Sequence, residues 1–385
     1  NYKQMKNTPL IFMGAVLGIF SCSPTIDQTA VNYSLEIEDS VMINHLGSLY
    51  LIDYDSKNDK FLLSDESFYN YVEANKEGEK VFEGRLPVDG PDAIDMALGM
   101  GYFRGNIAVA TANQGFKLFD QGVSVGAIKI PYAYNSFNFL PKIGLTEWNG
   151  GILYPRLLAD SLMAAGFTEE FYARGYTDPL FEFQKEGQEV KNLGFLPETS
   201  PLRNGNFHGS LVLVYHLQGP NLYLLNWVRP EILKYSAENG DITAVETVNL
   251  GLENWVSYDE TPLNNAQNFY ETYRKKMPGT VRNIQSVGDY FLVQYQLGIP
   301  EEVFATILDG EGRLKSEEVA KINPPLIAVL DKNLKVLAKD LRLPPASNGD
   351  FVVTKEGHIV VSKNPNLSET EDPGTILYKL KLKTD

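Results

Sequence analysis

The sequence predicts an all-β protein that folds as a six-bladed β-propeller, with its N-terminal strand closing the last blade. Composition is the first of three observations. The 21 Tyr and 20 Phe favour strands, and the 32 Gly and 21 Pro are typical of the turns between strands. The second observation is a strand–turn–strand unit that recurs along the chain. The third is a pair of alternating strands at the two ends of the domain, which indicates that the ring closes on itself.

The recurring unit contains a Gly or Asn turn and often ends with an aliphatic residue before Pro, as at Ile130-Pro131 and Leu343-Pro344. Six such turns fall at residues 76–79, 120–122, 185–187, 238–240, 331–333 and 355–357. Propeller blades typically occupy about 40–50 residues. Longer intervals therefore predict insertions near residues 253–278 and 301–323. A β-sandwich, or two unrelated β domains, is the alternative.

The two ends of the domain read as strands with one apolar and one polar face. The apolar residues in this alternation are Val31, Tyr33, Leu35 and Ile37 at one end and Tyr378, Leu380 and Leu382 at the other. Acids (Glu36, Glu38) alternate with the first set and lysines (Lys379, Lys381) with the second. Opposite charges on facing strands stabilise a sheet. We therefore expect these two strands to pair in one blade, acids facing lysines.

Three segments resemble a known family. Residues 351–366 resemble the C-terminal blade of six-bladed, TolB-like β-propeller lipoproteins of Bacteroidota. Residues 86–91 are similar to the first inter-blade connection of that family, and residues 54–64 to its first blade. The resemblance covers most of residues 31–383. It implies a propeller and an envelope location, and no catalytic residues, because much of the family is of unknown function.

The N-terminal segment predicts export and lipid anchoring. A basic head, Met5-Lys6-Asn7, precedes an apolar run over residues 10–20 that is too short to span a bilayer, which needs about 20 residues. Cys22, the only cysteine, follows Ser21 where a bacterial lipobox requires it. We expect residues 1–21 to be a signal peptide, Cys22 to be lipidated, residues 22–30 to be a tether and residues 31–385 to be the propeller. A secretory signal with an incidental cysteine is the alternative.

Composition and motifs argue against several kinds of chemistry. The net charge of −15 disfavours nucleic acid as a partner. A single cysteine excludes an intrachain disulfide, and His45, His208, His216 and His358 lack metal-ligand spacing. No nucleotide-binding motif is present. Together with the histidine and cysteine patterns, this predicts no metal and no cofactor.

Two motifs match only literally. Residues 122–126 read G-x-S-x-G, but an alternating strand follows Ser124 where a nucleophile elbow needs a helix. Residues 53–59 space acids like a calcium loop, but Lys57 occupies a ligand position and Asn58 replaces the required Gly. We interpret both segments as hairpins.

Aromatic segments are the candidate ligand-binding residues. Rings beside amides suit sugars, because rings cover C–H patches while amides pair with hydroxyls. The candidates are Tyr132, Tyr134, Asn135, Trp148, Trp255 and Tyr258, with Phe137, Asn138 and Phe139 in the same segment as the first three. In the alternative, these rings pack between blades.

The predicted function is a membrane-anchored envelope lipoprotein whose propeller is an interaction module for a protein or glycan partner. The alternative is a propeller enzyme, a glycan hydrolase or lyase using carboxylates at the mouth of the channel. A purely structural assembly module is a third hypothesis. We expect the protein to lie in the cell envelope, anchored through lipid at the outer membrane and facing either the periplasm or the cell surface.

Overall fold

The structure is a computed structural model that describes residues 31–136, 142–164, 166–364, 367 and 373–384. By its internal contacts the chain divides into Asn1–Val31 and Asn32–Asp385, and all described strands belong to the second unit. They form six four-stranded antiparallel sheets and one two-stranded sheet. The six sheets are the blades of a β-propeller, which confirms the predicted fold.

The first three blades each use four strands that follow one another in the chain. Blade 1 consists of β2 (Tyr50–Asp55), β3 (Lys60–Ser64), β4 (Asn70–Asn75) and β5 (Lys80–Arg85). Blade 2 consists of β6 (Ala97–Phe103), β7 (Asn106–Thr111), β8 (Phe116–Asp120) and β9 (Val123–Ile128). Blade 3 consists of β10 (Thr146–Trp148), β11 (Gly151–Pro155), β12 (Phe181–Gln184) and β13 (Lys191–Leu193).

Blades 4 and 5 repeat this order, and blade 6 departs from it. Blade 4 consists of β15 (Val214–Gln218), β16 (Asn221–Leu225), β17 (Glu231–Ser236) and β18 (Thr243–Asn249). Blade 5 consists of β20 (Met277–Val287), β21 (Tyr290–Ile299), β22 (Leu326–Asp331) and β23 (Val336–Arg342). Blade 6 consists of β24 (Ser347–Val353), β25 (Ile359–Lys363), β26 (Thr375–Thr384) and, from the other end of the chain, β1 (Tyr33–Ile43). The small extra sheet pairs β14 (Asn206–Phe207) with β19 (Thr261–Pro262).

The helices lie in connections between strands. Helices α1 (Asp160–Ala164) and α2 (Glu169–Thr177) follow β11. Helices α3 (Glu301–Phe304) and α4 (Ser316–Ile322) follow β21. The 3-10 helices are Pro201–Arg203, Leu263–Arg274, which is kinked at Asn265, and Ala305–Ile307. Helical segments therefore occupy both places where the sequence predicts insertions, and a third place that it did not indicate.

The closing strand pairs as predicted. β1 is antiparallel to β26, with Glu36 opposite Lys381. A register shift between Ile37 and Asp39 makes Glu38 the extra residue. Lys381 Nζ lies 3.6 Å from Glu38, and Lys379 Nζ lies 3.6 Å from Asp39, an acid that the sequence analysis did not single out.

The hydrophobic core is divided among the blade interfaces. Each of six buried clusters combines side chains from two neighbouring blades, as where Phe61 and Leu63 of blade 1 pack with Val360 of blade 6. A seventh cluster, around Phe304 and Ile307, belongs to the insertion of blade 5. A single blade has no partner for its two apolar faces, so stacking around the ring is what buries them.

The hairpin turns follow the predicted chemistry. Two-residue turns at Arg104-Gly105 and Asn149-Gly150 have positive φ at both positions, as tight antiparallel hairpins require. Five of the six turns identified in the sequence join the third and fourth strands of blades 1 to 5. The sixth, at residues 355–357, joins the first and second strands of blade 6 instead, because β1 supplies the fourth strand of that blade.

Candidate functional site

The two faces of the propeller differ in the length of their connections. Because each blade is an antiparallel meander, connections after second and fourth strands leave on one face, and connections after first and third strands on the other. We call these the loop face and the turn face. The α1–α2 segment, Leu263–Arg274 and the α3–α4 segment all lie on the loop face. The elaborated face is therefore the place to look for a site.

A cavity of about 1160 Å³, here called the funnel, opens on the loop face over blades 5, 6 and 1. The α3–α4 insertion and the beginnings of β2, β20 and β24 form its walls. Five side-chain amides line it, and they are Gln294, Gln296, Asn323, Asn348 and Asn364. Charged groups also line it, and they are Asp65, Glu66, Arg282, Lys315, Glu317, Glu318 and Asp350. The rings of Tyr50 and Phe68 complete a lining that suits a polar ligand.

Hydrogen bonds fix the positions of several funnel amides. Gln296 Nε2 donates to the Asn323 carbonyl at 2.8 Å, and Asn323 Oδ1 accepts the Gly298 N–H at 3.0 Å. Asn348 Nδ2 donates to Ser362 Oγ at 3.1 Å. These bonds hold the side chains in place without using every donor and acceptor that they contain.

Gln294 is the most deeply placed of these amides. It is only 1% exposed, and its Oε1 has no hydrogen-bond partner among the described residues. A Cβ at Gly349 would lie 2.5 Å from Gln294 Nε2, so glycine is what allows β24 to pass so close. A buried acceptor without a partner in a cavity wall is an open position for a ligand or a water.

Arg282 contributes the guanidinium in the funnel wall. The register of β20 shifts between Val281 and Asn283, so Arg282 is the bulged residue of that strand. Its guanidinium carbon lies 5.1 Å from the ring centre of Trp227, within cation–π distance. No hydrogen bond or ion pair joins it to any residue that the structure describes, and its Nε is a buried atom without a partner.

A smaller cavity of about 140 Å³ on the propeller axis meets the funnel at Ile52, which lines both. We call this smaller cavity the channel. Burial in it lowers the pKa of Lys142 to about 8, while the charges of Asp53 and Asp350 oppose the shift. Burial raises the pKa of Asp53, although its carboxylate accepts the N–H groups of Tyr102 at 2.7 Å and Tyr54 at 2.9 Å. Burial, with the nearby Lys142 charge, also lowers the pKa of His216 to about 4, so this imidazole is neutral at pH 7.

A third cavity, of about 190 Å³, lies beside α2 on the loop face and is mostly apolar. Leu158, Phe171, Tyr172 and Leu211 are among its lining residues. At its edge, one oxygen of Asp178 binds both Arg156 at 2.6 Å and Arg174 at 2.8 Å. These cations are already neutralised in part by the protein.

The structure does not bring the predicted ligand-binding residues into one site. The rings of Tyr132 and Tyr134 contact each other, with centres 6.5 Å apart, but none of the six residues is among the described residues that line the funnel. Tyr134 is 3% exposed, and its hydroxyl donates to Thr111 O and accepts the Gly115 N–H. Trp148 is 8% exposed, and its indole N–H donates to Ala237 O at 3.3 Å. These two rings pack inside the molecule, as in the alternative interpretation.

The other four predicted residues are half-buried and dispersed. The Tyr132 hydroxyl lies 2.8 Å from Glu182 Oε1, and Asn135 follows in the same connection after blade 2. Trp255 packs on Gly279, where a Cβ would lie 2.8 Å from the indole. Tyr258 stacks on Phe269, with ring centres 5.7 Å apart. Phe137, Asn138, Phe139 and Cys22 lie outside the described residues.

The literal motif matches are hairpins. Ser124 lies in β9 and pairs with Phe119 directly after the turn at Gly122, with no helix following. In the acidic segment, Asp55 accepts the N–H groups of Lys57 and Asn58, while Asp59 binds the Tyr54 hydroxyl and Lys355. Among the described residues, no three His, Cys, Asp or Glu side chains group as metal ligands.

Arg282, Gln294 and Asn348 line the funnel but were not predicted from the sequence. A signal was available for the first two, because each is a polar residue inside an apolar strand, as in Val281-Arg282-Asn283-Ile284 and Val293-Gln294-Tyr295. Polar residues at such positions often line a cavity or an axis rather than a core. Asn348 had no comparable signal, since the sequence Ser347-Asn348-Gly349-Asp350 reads as a turn although the structure places it at the start of β24.

No described helix is long and apolar enough to cross a membrane. Neither a protein-family model nor a curated protein matches the chain.

Solved structures do match it. A member of the DUF4221 family from Bacteroides vulgatus shares 14% identity over 92% of this chain and 99% of its own, with a TM-score of 0.60. A candidate exported protein from Bacteroides fragilis shares 11% identity over 93% of this chain and 96% of its own, with a TM-score of 0.52. At these identities the likeness establishes the propeller fold.

Proposed function

We propose that this protein is a cell-envelope lipoprotein whose propeller binds a glycan in the funnel. One observation supports this most directly: five amide side chains and two aromatic rings line one concave cavity of about 1160 Å³. Amides donate to and accept from sugar hydroxyls, and rings cover the C–H faces of sugars. The concave shape favours an oligosaccharide over a flat protein surface.

Glycan binding is tested by titrating the full propeller with hits from a glycan array. Asn348→Ala removes an amide from the funnel wall, and we expect it to weaken binding about tenfold, as loss of one or two hydrogen bonds would. The control is Gln188→Ala, an exposed amide in a turn on the opposite face. Absence of binding to every glycan, or equal affinity for both variants, would refute the proposal. Cleavage of a bound glycan would point to the enzyme alternative instead.

Anchoring through Cys22 is a separate part of the proposal. It is supported by the lipobox-like order of residues 19–22 and by the candidate exported relative of the same fold. Expression with a radiolabelled fatty acid should label the wild-type protein and leave Cys22→Ser unlabelled and released from membranes. An unlabelled wild-type protein that is secreted in soluble form would favour the plain secretory signal.

A further inference from the structure

The funnel wall contains the guanidinium of Arg282, for which the described residues supply no carboxylate partner. The other half-buried arginines of the described chain, Arg156, Arg174 and Arg229, each pair with a carboxylate. Arg282 is half-buried as well, yet it has no carboxylate or carbonyl partner among the described residues. A guanidinium withdrawn from bulk water without an acceptor is unfavourable unless something else supplies one.

The surroundings hold Arg282 toward the funnel. Arg282 is the bulged residue of β20 and lines the funnel, and the Trp227 ring lies against one side of its guanidinium. Trp227 has φ 61°, in the left-handed region that a bulky residue seldom adopts. Backbone strain of this kind persists where the neighbouring structure imposes it, and it is concentrated at functional sites.

Buried polar atoms next to Trp227 in the chain and in the funnel wall also lack partners among the described residues. Asn226, which precedes Trp227, is fully buried with neither its Oδ1 nor its Nδ2 bonded within the described chain. In the funnel wall, Gln294 Oε1 also has no hydrogen-bond partner within the described chain. The wall therefore combines an unpaired, half-buried guanidinium with a hydrogen-bond acceptor, which together suit a ligand that has both an oxyanion and hydroxyl groups.

We infer that the ligand of the funnel is an acidic glycan, and that Arg282 binds its carboxylate or sulfate group. This inference rests on the proposed glycan-binding function and specifies the class of glycan. A guanidinium fork forms two parallel hydrogen bonds with a planar oxyanion. Five carboxylates line the same funnel, namely Asp65, Glu66, Glu317, Glu318 and Asp350. These carboxylates repel densely charged polyanions. The ligand is therefore an otherwise neutral oligosaccharide that carries an isolated acidic group.

The test uses a glycan array in which each uronate-containing oligosaccharide is printed beside its carboxyl-reduced form, and each sulfated one beside its desulfated form. Wild type is compared with Arg282→Gln and Arg282→Lys. The matched control is Arg342→Gln, an exposed arginine on the outermost strand of the same blade. Affinities of the strongest pairs are then measured by calorimetry at low and high salt, and thermal unfolding verifies that each variant folds.

We expect wild type to prefer the acidic member of a pair at least tenfold, and Arg282→Gln to lose 10- to 100-fold for that member alone, as expected for a charge-assisted bidentate bond. Arg282→Lys should recover only part of this affinity, and Arg342→Gln should bind like wild type. The two kinds of pair separate carboxylate from sulfate.

Equal binding of acidic and neutral partners would overturn the inference and leave the proposed function intact. Absence of binding to any glycan would remove both. If Arg282→Gln fails to fold, the wild-type preference within pairs, its decrease with salt and the Arg282→Lys variant still decide the question.

Discussion

The loop face and the turn face are built from opposite ends of the same strands, yet they follow different rules. On the turn face, connections such as Arg104-Gly105 and Asn149-Gly150 are as short as a hairpin allows. On the loop face, the α1–α2 and α3–α4 segments and Leu263–Arg274 extend the connections greatly. The turns therefore preserve the ring of blades, while the loop face can change in shape and chemistry with little effect on that ring.

The turn face is itself not uniform, and the tripeptide Lys-Glu-Gly illustrates this. It occurs at residues 76–78, 185–187 and 355–357, and its glycine has φ of +88°, +73° and +84° respectively. A Cβ at Gly78 would lie 2.5 Å from Val41 Cγ1 and 2.7 Å from Met42 O in the closing strand. A Cβ at Gly187 or Gly357 would meet nothing within 4 Å. One local sequence thus has two different tertiary roles.

The largest expected effect comes from breaking this turn-face contact. Gly78→Ala should lower the free energy of unfolding by about 3 kcal/mol, because backbone strain and overpacking against β1 add together. Gly187→Ala and Gly357→Ala should each lose only about 1 kcal/mol, from backbone strain alone. Denaturant unfolding of the three variants measures the difference. Equal losses at the three sites would show that the closing strand does not constrain the turn.

The titration of His216 should make the free energy of unfolding depend on pH. The pKa of His216 is lowered to about 4 from an ordinary value of 6.5, chiefly by burial, so folding favours the neutral imidazole. Its stabilisation is fully present above pH 6.5 and is lost as pH falls toward 4. Because the ring of His216 is half-buried and solvent screens part of its charge, we expect a loss of about 2 kcal/mol across this range. Denaturant unfolding of wild type and His216→Gln should give curves that converge as pH falls. Parallel curves would contradict the assignment.

Removing a loop-face insertion should affect binding more than stability. Replacing residues 302–320 with Gly-Ser-Gly deletes one wall of the funnel, so we expect glycan affinity to fall at least tenfold, or about 1.4 kcal/mol. The propeller should remain folded, because Phe304 and Ile307 pack against Ile299 and Met277 at the ends of two strands of blade 5 and not between blades. Inserting the same linker after Gly187 on the turn face is the control. Unchanged affinity after the deletion would place the site elsewhere.

The smallest expected effect concerns the charges on the closing strand. Lys381→Glu should lower stability only slightly, the least of the four changes, because exposed pairs such as Lys381–Glu38 contribute little. Adding Glu38→Lys should restore part of the loss. The measurement is a thermal double-mutant cycle at low salt, repeated at high salt, where the coupling should shrink. Absence of any recovery would indicate that the pair does not act in closure.

Much of the fold could be predicted from the sequence, and little of the site. Alternation at Tyr33, Leu35 and Leu380 identifies two strands, and their polar faces identify the pairing that the structure contains. Gly and Asn in the turns identify most of the hairpins. The aromatic segments were a weaker guide, because Tyr134 and Trp148 have the same residue types whether they bind a ligand or fill a blade interface. Ring type alone does not distinguish these roles.

The sequence by itself determined the elements, because strand alternation and turn conformation depend on residues only a few positions apart. Only the tertiary structure decided which of these elements meet. Ring closure brings Tyr50 and Asn348 into one funnel and places Gly78 but not Gly187 against β1. Packing within blade 5 leaves Arg282 without a carboxylate partner among the described residues. Each of these outcomes depends on packing between residues far apart in the chain, and no local pattern records which distant side chain will be the neighbour.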